Sequence, residues 1–284
     1  MLNMSRHLLI RKIKNIAFKS VVFAFAILGA VPLLLILFYL GKEGISALDW
    51  NFIVNLPKPV GEIGGGVSNA IVGTLMLILI SSVISVPLGV TIGIFISEFR
   101  KNRITYYVKL CTDILMGTPS IVIGLIAYLW IVRSIGSFSA LSGGVALSIM
   151  MLPVIISSTE ETLKLIPSTL KESSYALGVP YYSTILRVVL PAALNGIVTG
   201  IMLSIARIAG ETAPLLFTAF GSPFMNLNLM KPISSLPQII FVYSTSPYNE
   251  LHSLAWGASF VLIILILSLN ISAKIIAKRW KVSF

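Results

Sequence analysis

Ser68-Asn-Ala-Ile-Val-Gly-Thr-Leu-Met-Leu-Ile-Leu-Ile-Ser-Ser-Val-Ile-Ser-Val-Pro-Leu-Gly-Val-Thr-Ile-Gly-Ile-Phe-Ile96 contains no Asp, Glu, Lys or Arg. About 20 apolar helical residues cross the ~30 Å hydrocarbon core of a bilayer, and this run is longer. It is not isolated. Phe18–Leu40, Val108–Trp130, Phe138–Ile156, Ala192–Phe220 and Leu251–Ile276 are comparable, with Lys19, Lys109, Asp113, Arg207, Glu211 and Lys274 as their charges. The whole chain of 284 residues is 56% hydrophobic and 11% charged, with mean hydropathy +0.96. Globular domains carry about 25% charged residues, so this chain could not cover a soluble surface. Disorder, a basic nucleic-acid-binding domain and most soluble enzymes are excluded. The expected fold is an all-α membrane protein with six transmembrane helices.

The net charge of +11 is distributed by side. Sixteen of the 21 Lys and Arg fall on one side of the six runs: Arg6, Arg11, Lys12, Lys14 and Lys19; Arg100, Lys101, Arg103 and Lys109; Lys164, Lys171 and Arg187; and Lys274, Lys278, Arg279 and Lys281. Four, Lys42, Lys58, Arg133 and Lys231, fall on the other, and Arg207 lies within a run. Basic residues concentrate on the cytoplasmic side of membrane proteins. Both termini are therefore expected in the cytoplasm, with the cations as anchors near anionic lipid. The expected layout is a basic tail at 1–17 and an uncleaved first span at 18–40. An external segment follows at 41–67. A five-helix domain occupies 68–277, with a cytoplasmic loop at 157–191 and an external segment at 221–250. A tail at 278–284 ends the chain. The external segments read either as docking surfaces or as structural caps, each with room for short interfacial helices. Pro32, Pro87, Pro119, Pro153 and Pro214 lie in or near apolar runs. Such breaks persist in membranes where neighbouring helices or water satisfy the freed backbone groups, which favours a packed bundle with a pathway. Gly196 and Gly200 have the small-xxx-small spacing of close helix packing. Cys111 is the single cysteine, and His7 and His252 are far apart, so neither a disulfide nor a metal site is expected.

The cytoplasmic loop carries the strongest pattern. Pro167–Leu177 reads as a short helix, Gly178 as its left-handed end and Pro180 as the stop. Tyr181–Leu190 reads as a second short helix ending near Pro191. Ser173, Ser174 and Ala176 are small enough for a partner groove to approach, and Leu170 and Leu177 offer apolar anchors. The alternative is an amphipathic surface hairpin that docks nothing. Glu172, Gly178 six residues later, then Val188, Leu190 and Pro191 resemble the EAA loop of binding-protein-dependent ABC importer permeases. Ser173 and Ser174 replace the usual alanines and Val188 an isoleucine. Gly65–Leu75, Gly117–Gly124 and Ala206–Leu216 are similar to the PstA-type, phosphate-importing branch of that family. The similarity extends from about residue 65 to the end, and the first 64 residues agree in layout only. The resemblance implies a type I importer (MetI-like) fold in a prokaryotic inner membrane. It also implies a second, PstC-type permease, a PstB-type ATPase dimer and an external, PstS-type phosphate-binding protein. No G-x-x-x-x-G-K-[ST] loop is present, so ATP is expected to be hydrolysed by a partner. No catalytic residue or cofactor is expected in this chain.

Arg207 and Glu211 are the charges deep in an apolar run and four residues apart, placing them on one helix face. A central charge costs about 2.5–3.5 kcal/mol on insertion scales, so the pair reads either as a helix-packing element or as part of an anion path. In the second reading, Arg207 offers a passing oxyanion paired hydrogen bonds, and Glu211 keeps it from holding too tightly. Thr212 and Ser204 add neutral donors. Arg133 reads as an interfacial anchor in preference to an attractor of anions near the entrance, Lys109 and Asp113 as a local pair, and Glu160–Glu161 as no catalytic acid pair. The function expected is ATP-driven phosphate import by alternating access. The alternatives are a secondary anion transporter driven by an ion gradient and relying on Glu211, a non-transporting scaffold, or an ABC permease for sulfate, molybdate or phosphonate. The physical reading stops at oxyanion, and the resemblance supplies phosphate.

Overall fold

A computed structural model describes residues 2–62 and 64–279, with side-chain surroundings over 7–62 and 64–275. Of the expected tail at 278–284, residues 280–284 lie outside the described residues, as do Met1 and Ile63. Eleven helical elements order the described chain. They are α1 (Leu2–Ser46), α2 (Trp50–Val54), α3 (Ser68–Glu98), α4 (Arg103–Gly117), α5 (Ser120–Ile135), α6 (Ala140–Lys164), α7 (Ser168–Ala176), α8 (Tyr181–Ala209), α9 (Ala213–Thr218), α10 (Leu236–Ser244) and α11 (Asn249–Arg279). Five are long and apolar enough to cross a membrane, and the bent pair α4–α5 makes a sixth.

α6 is the centre. Two-thirds of its most apolar stretch is buried, whereas none of that of α1 is. α6 packs along α3 and then against α8, α4 and α9. Glycine permits the approach. A Cβ on Gly89 would lie 2.8 Å from Ile155 Cγ2, and one on Gly93 2.6 Å from Thr159 Cβ. Gly196 and Gly200 of α8 press against Thr162 and Ser158 of α6, so the small-residue spacing does mark a helix contact. Leu77, Leu147, Met151, Ile155, Ile208 and Leu215 fill the resulting core.

Several expected boundaries move. The first span continues on both sides of 18–40 as one 45-residue helix. It is about 68 Å long at 1.5 Å per residue, so the basic segment is helical rather than a separate tail. Its last turns meet α11, where Gly44 abuts Phe260 and Tyr39 lies 6.3 Å from Trp256 between ring centroids. The continuous span expected at Val108–Trp130 is instead bent by 108° between α4 and α5. Thr118, forced out of helical geometry by Pro119, has φ −77° and ψ 130°. The span expected at 138–156 reaches Lys164, taking in the start of the expected loop. The short helix expected to stop near Pro191 runs on into α8. A π-helical stretch at Ile185–Val189 precedes the proline, and such a widened turn absorbs the lost hydrogen bond and ring clash. The run Ala192–Phe220 is broken at 210–212, and Pro214 starts α9 rather than kinking a span.

The segments at 41–67 and 221–250 each contain a short helix, α2 and α10, and form a cap over one end of the bundle. Val67 N–H donates to Phe52 O and Gly66 N–H to Leu56 O. The chain at 229–231 accepts from Ala140 and Leu141 at the start of α6, whose remaining donors are met by the reciprocal Ser139–Ser142 capping box. Leu236 N–H donates to Thr74 Oγ1 at 2.8 Å.

Candidate functional site

At the end opposite the cap, α7 and the start of α8 form a hairpin. Pro167 and Pro180 occupy the positions before each helix, extended at ψ 139° and 151°. Gly178 takes φ +78°, the left-handed geometry anticipated from its place after Leu177. Ser174 does not offer itself to a partner: it is buried, with its hydroxyl 2.9 Å from Thr184 Oγ1 across the corner. Ser173 is exposed, and its hydroxyl donates to Thr169 O within α7. Glu172 is exposed, with no ion pair among the described residues. Of the two expected anchors, Leu177 is 84% exposed while Leu170 is half-buried. Leu190 and Pro191 stand apart from this surface. Both lie in the shaft of α8, where Leu190 packs on the cluster of Leu163, Ile185, Val189, Ala193 and Ile197.

Glu98, at the end of α3, ties the hairpin down. One carboxylate oxygen pairs with Lys171 of α7, and the other accepts from the Tyr181 hydroxyl of α8 at 3.1 Å. The Glu98 side chain is 8% exposed. In such surroundings, charge-assisted hydrogen bonds are stronger than at an open surface. The sequence reading missed this residue, since its partners stand 73 and 83 positions away. A single acid at the end of an uncharged run was the available signal. The ties of Glu160, read only as no part of a catalytic acid pair, are a second omission. Glu160 is a buried carboxylate of α6 held by Lys164, one turn on, and by Lys109 of α4 at 3.0 Å. The local pair expected between Lys109 and Asp113 is thereby replaced by a tie between helices.

Arg207 lies in the last turn of α8 and Glu211 just beyond it. Their Nε–Oε1 distance is 3.9 Å, with side chains 46% and 19% exposed. The pair therefore stands at a helix break rather than on one continuous helical face. Thr212 follows in the break, its hydroxyl 3.5 Å from Pro237 O at the start of α10. Ser204 is buried and donates to Ile201 O at 2.7 Å. The break at 210–212 adjoins the bend at 118–119 through α9 and α5, where a Cβ on Gly124 would lie 2.6 Å from Pro214 Cα. Gly117–Gly124 and Ala206–Leu216, distant in sequence, are thus brought together. Broken helices at membrane depth are tolerated where protein or a wet cavity satisfies their backbone, which is where transporters place their pathways. Arg133 is exposed near the end of α5. No group of three His, Cys, Asp or Glu among the described residues is placed to hold a metal.

Comparison with known proteins bears on this geometry. Residues 89–282 match the family described as the binding-protein-dependent transport system inner membrane component. The chain is 41% identical to the phosphate transport system permease protein PstA of Yersinia pestis over 89% of its length and 86% of that protein's. It is 37% identical to the protein of that name from Pasteurella multocida, covering 95% and 96%. It is 35% identical to a probable PstA of Methanocaldococcus jannaschii, covering 93% and 94%. Among solved structures, an inward-facing MetNI methionine ABC transporter superposes with a TM-score of 0.61 at 21% identity, over 76% of this chain and 94% of that one.

Proposed function

This chain belongs to the family of binding-protein-dependent transport system inner membrane components, and from that premise we propose that it is the permease subunit of an ATP-driven importer of inorganic phosphate. The observation that carries the mechanism is the clamped hairpin. A short helix with exposed Glu172 and Leu177 is held to the end of a core span by Glu98. A force applied there by a partner passes into α3 and α8 instead of being lost in a flexible loop. The near-full-length kinship with phosphate permeases supports the choice of phosphate.

In this reading the hairpin faces the cytoplasm, which the distribution of Lys and Arg supports, and docks in a groove of an ATPase dimer. Residues 41–67 and 221–250 face outward in the inner membrane of a prokaryote. An external phosphate-binding protein delivers its anion to that face, and a second permease chain completes the pathway. ATP-driven movement of the hairpin rocks the two permeases between outward and inward openings. Arg207 is half-exposed and faces the path, offering phosphate a planar fork of donors. Glu211, at 3.9 Å, holds the guanidinium loosely between passages, and Thr212 supplies a neutral donor.

The test is phosphate uptake by proteoliposomes that contain this chain with its copurifying partners, with the external phosphate-binding protein supplied on the opposite face, with and without ATP on the ATPase side. The expected result is uptake that requires ATP. Uptake that ignores ATP and follows an ion gradient would overturn the proposal.

A further inference from the structure

At the end opposite the cap, a cleft of about 750 Å³ opens between the end of α3, the α3–α4 turn and the connection from α6 to α7. Four cations line it, Arg100, Lys101, Lys164 and Lys171, against one carboxylate, Glu98. Their pairing is uneven. Lys171 is matched by Glu98 in the hairpin clamp. Lys164 shares the carboxylate of Glu160 with Lys109, so one acid there serves two ammonium groups. Arg100 uses only Nε, which donates to Ser97 O at 3.1 Å, and its two terminal nitrogens have no partner among the described residues. Lys101 has neither a hydrogen bond nor an ion pair among the described residues. Both side chains belong to exposed residues. Arg103, the next cation along the chain, is exposed but stands outside this lining.

Like charges gathered around one cleft repel one another, and a bound anion offsets that repulsion. The donor set says which anion. A guanidinium offers a planar fork and the ammonium groups act as point charges around it. That combination suits a group with several acceptor oxygens and at least one full charge, as a phosphate has. Phe99 and Leu165, 47% and 82% exposed, line the same cleft and offer an apolar shelf beside the cations. Basic pockets between membrane helices receive lipid head groups in this way. We propose that the cleft binds a phosphate group, carried by an acidic phospholipid or free as inorganic phosphate, and so bridges the α3–α4 turn to the base of the hairpin. In the topology that the distribution of Lys and Arg supports, the cleft opens at the cytoplasmic surface, where both sources are at hand.

The test uses the complete complex in detergent, stripped of lipid and free of ATP and of the external binding protein, at about 0.15 M salt, where distant surface charges are screened. Dioctanoyl phosphatidylglycerol and inorganic phosphate are titrated separately, and amide exchange is followed over 97–103 and 163–168. Saturable slowing of exchange in these segments is expected with at least one of them. Slowing with phosphatidylglycerol alone identifies a lipid head-group site, and slowing with inorganic phosphate alone a site for the free anion. Slowing with neither overturns the proposal. Arg100→Gln combined with Lys101→Gln should weaken the response about tenfold or more, as loss of charge-assisted hydrogen bonds does. Arg103→Gln should leave it nearly unchanged. Equal loss in the two variants would mean a general attraction of anions to a basic surface and overturns the proposal. Should the double variant fail to assemble, Lys101→Glu, which breaks no hydrogen bond of the chain, carries the same comparison with Arg103→Gln. Binding is read here without transport, so its failure leaves the importer reading standing, and a failure of phosphate uptake leaves this site standing.

Discussion

Gly178 shows how much one residue can carry. At φ +78° an L side chain costs about 1–2 kcal/mol, and no atom lies within 4 Å of the missing Cβ. Gly178→Ala therefore introduces strain without a clash. The expected outcome is a complex that inserts and hydrolyses ATP but transports several-fold less phosphate. Normal uptake with Gly178→Ala and with Glu172→Lys would remove the hairpin from the mechanism. Arg207→Gln keeps a polar, hydrogen-bonding side chain but shortens it and loses the charge. Phosphate uptake should fall while the subunits still copurify, and a complex that comes apart would make the pair with Glu211 structural. Gly178 was legible because its geometry depends on its immediate neighbours and a following proline. The burial of Ser174 was not, because only the folding back of Thr184 supplies its partner.

At the level of elements, the hairpin and the α3–α6 pair make separate predictions. Glu98→Gln keeps the shape of the side chain and loses its charge, weakening the bonds to Lys171 and Tyr181 together. Hydrogen bonds to charged groups are worth about 1.5–3 kcal/mol. Amide exchange over 168–184 should quicken, and more ATP should be spent per phosphate moved. Unchanged exchange would show that the clamp does not hold the hairpin. Gly93→Leu forces a branched side chain into Thr159, and overpacking of this kind costs about 1–3 kcal/mol. The detergent-solubilised complex should melt at a lower temperature, whereas Gly117→Leu, with open space around its Cβ position, should not shift the melt through a core clash. The six apolar runs and the two short outer helices could be anticipated from composition and punctuation. Their ends could not. Pro191 was read as a stop, yet a π-helical stretch lets α8 pass through it, and that accommodation depends on packing against Leu163 and Ile197.

Across the whole molecule, the two broken spans meet where α5 packs on α9, with Gly124 against Pro214. Gly124→Leu is expected to push α5 away from α9 and abolish uptake while the hairpin and its exchange protection survive. Retained uptake would show that the contact is dispensable. The class of the protein, its helical spans and the side-dependence of its charge follow from the amino-acid order alone. Hydropathy over twenty residues and the positions of Lys and Arg are local sums that need no knowledge of neighbours. The left-handed corner at Gly178 and the absent phosphate loop are local for the same reason. Contacts across the bundle are different. Glu98 meets Lys171 and Tyr181, Lys109 turns from Asp113 to Glu160, and Asn69 and Gln238 come to line one cavity. In each case an apolar environment sets the strength and the need of a polar group, and that environment exists only once α3, α6 and the cap have packed together.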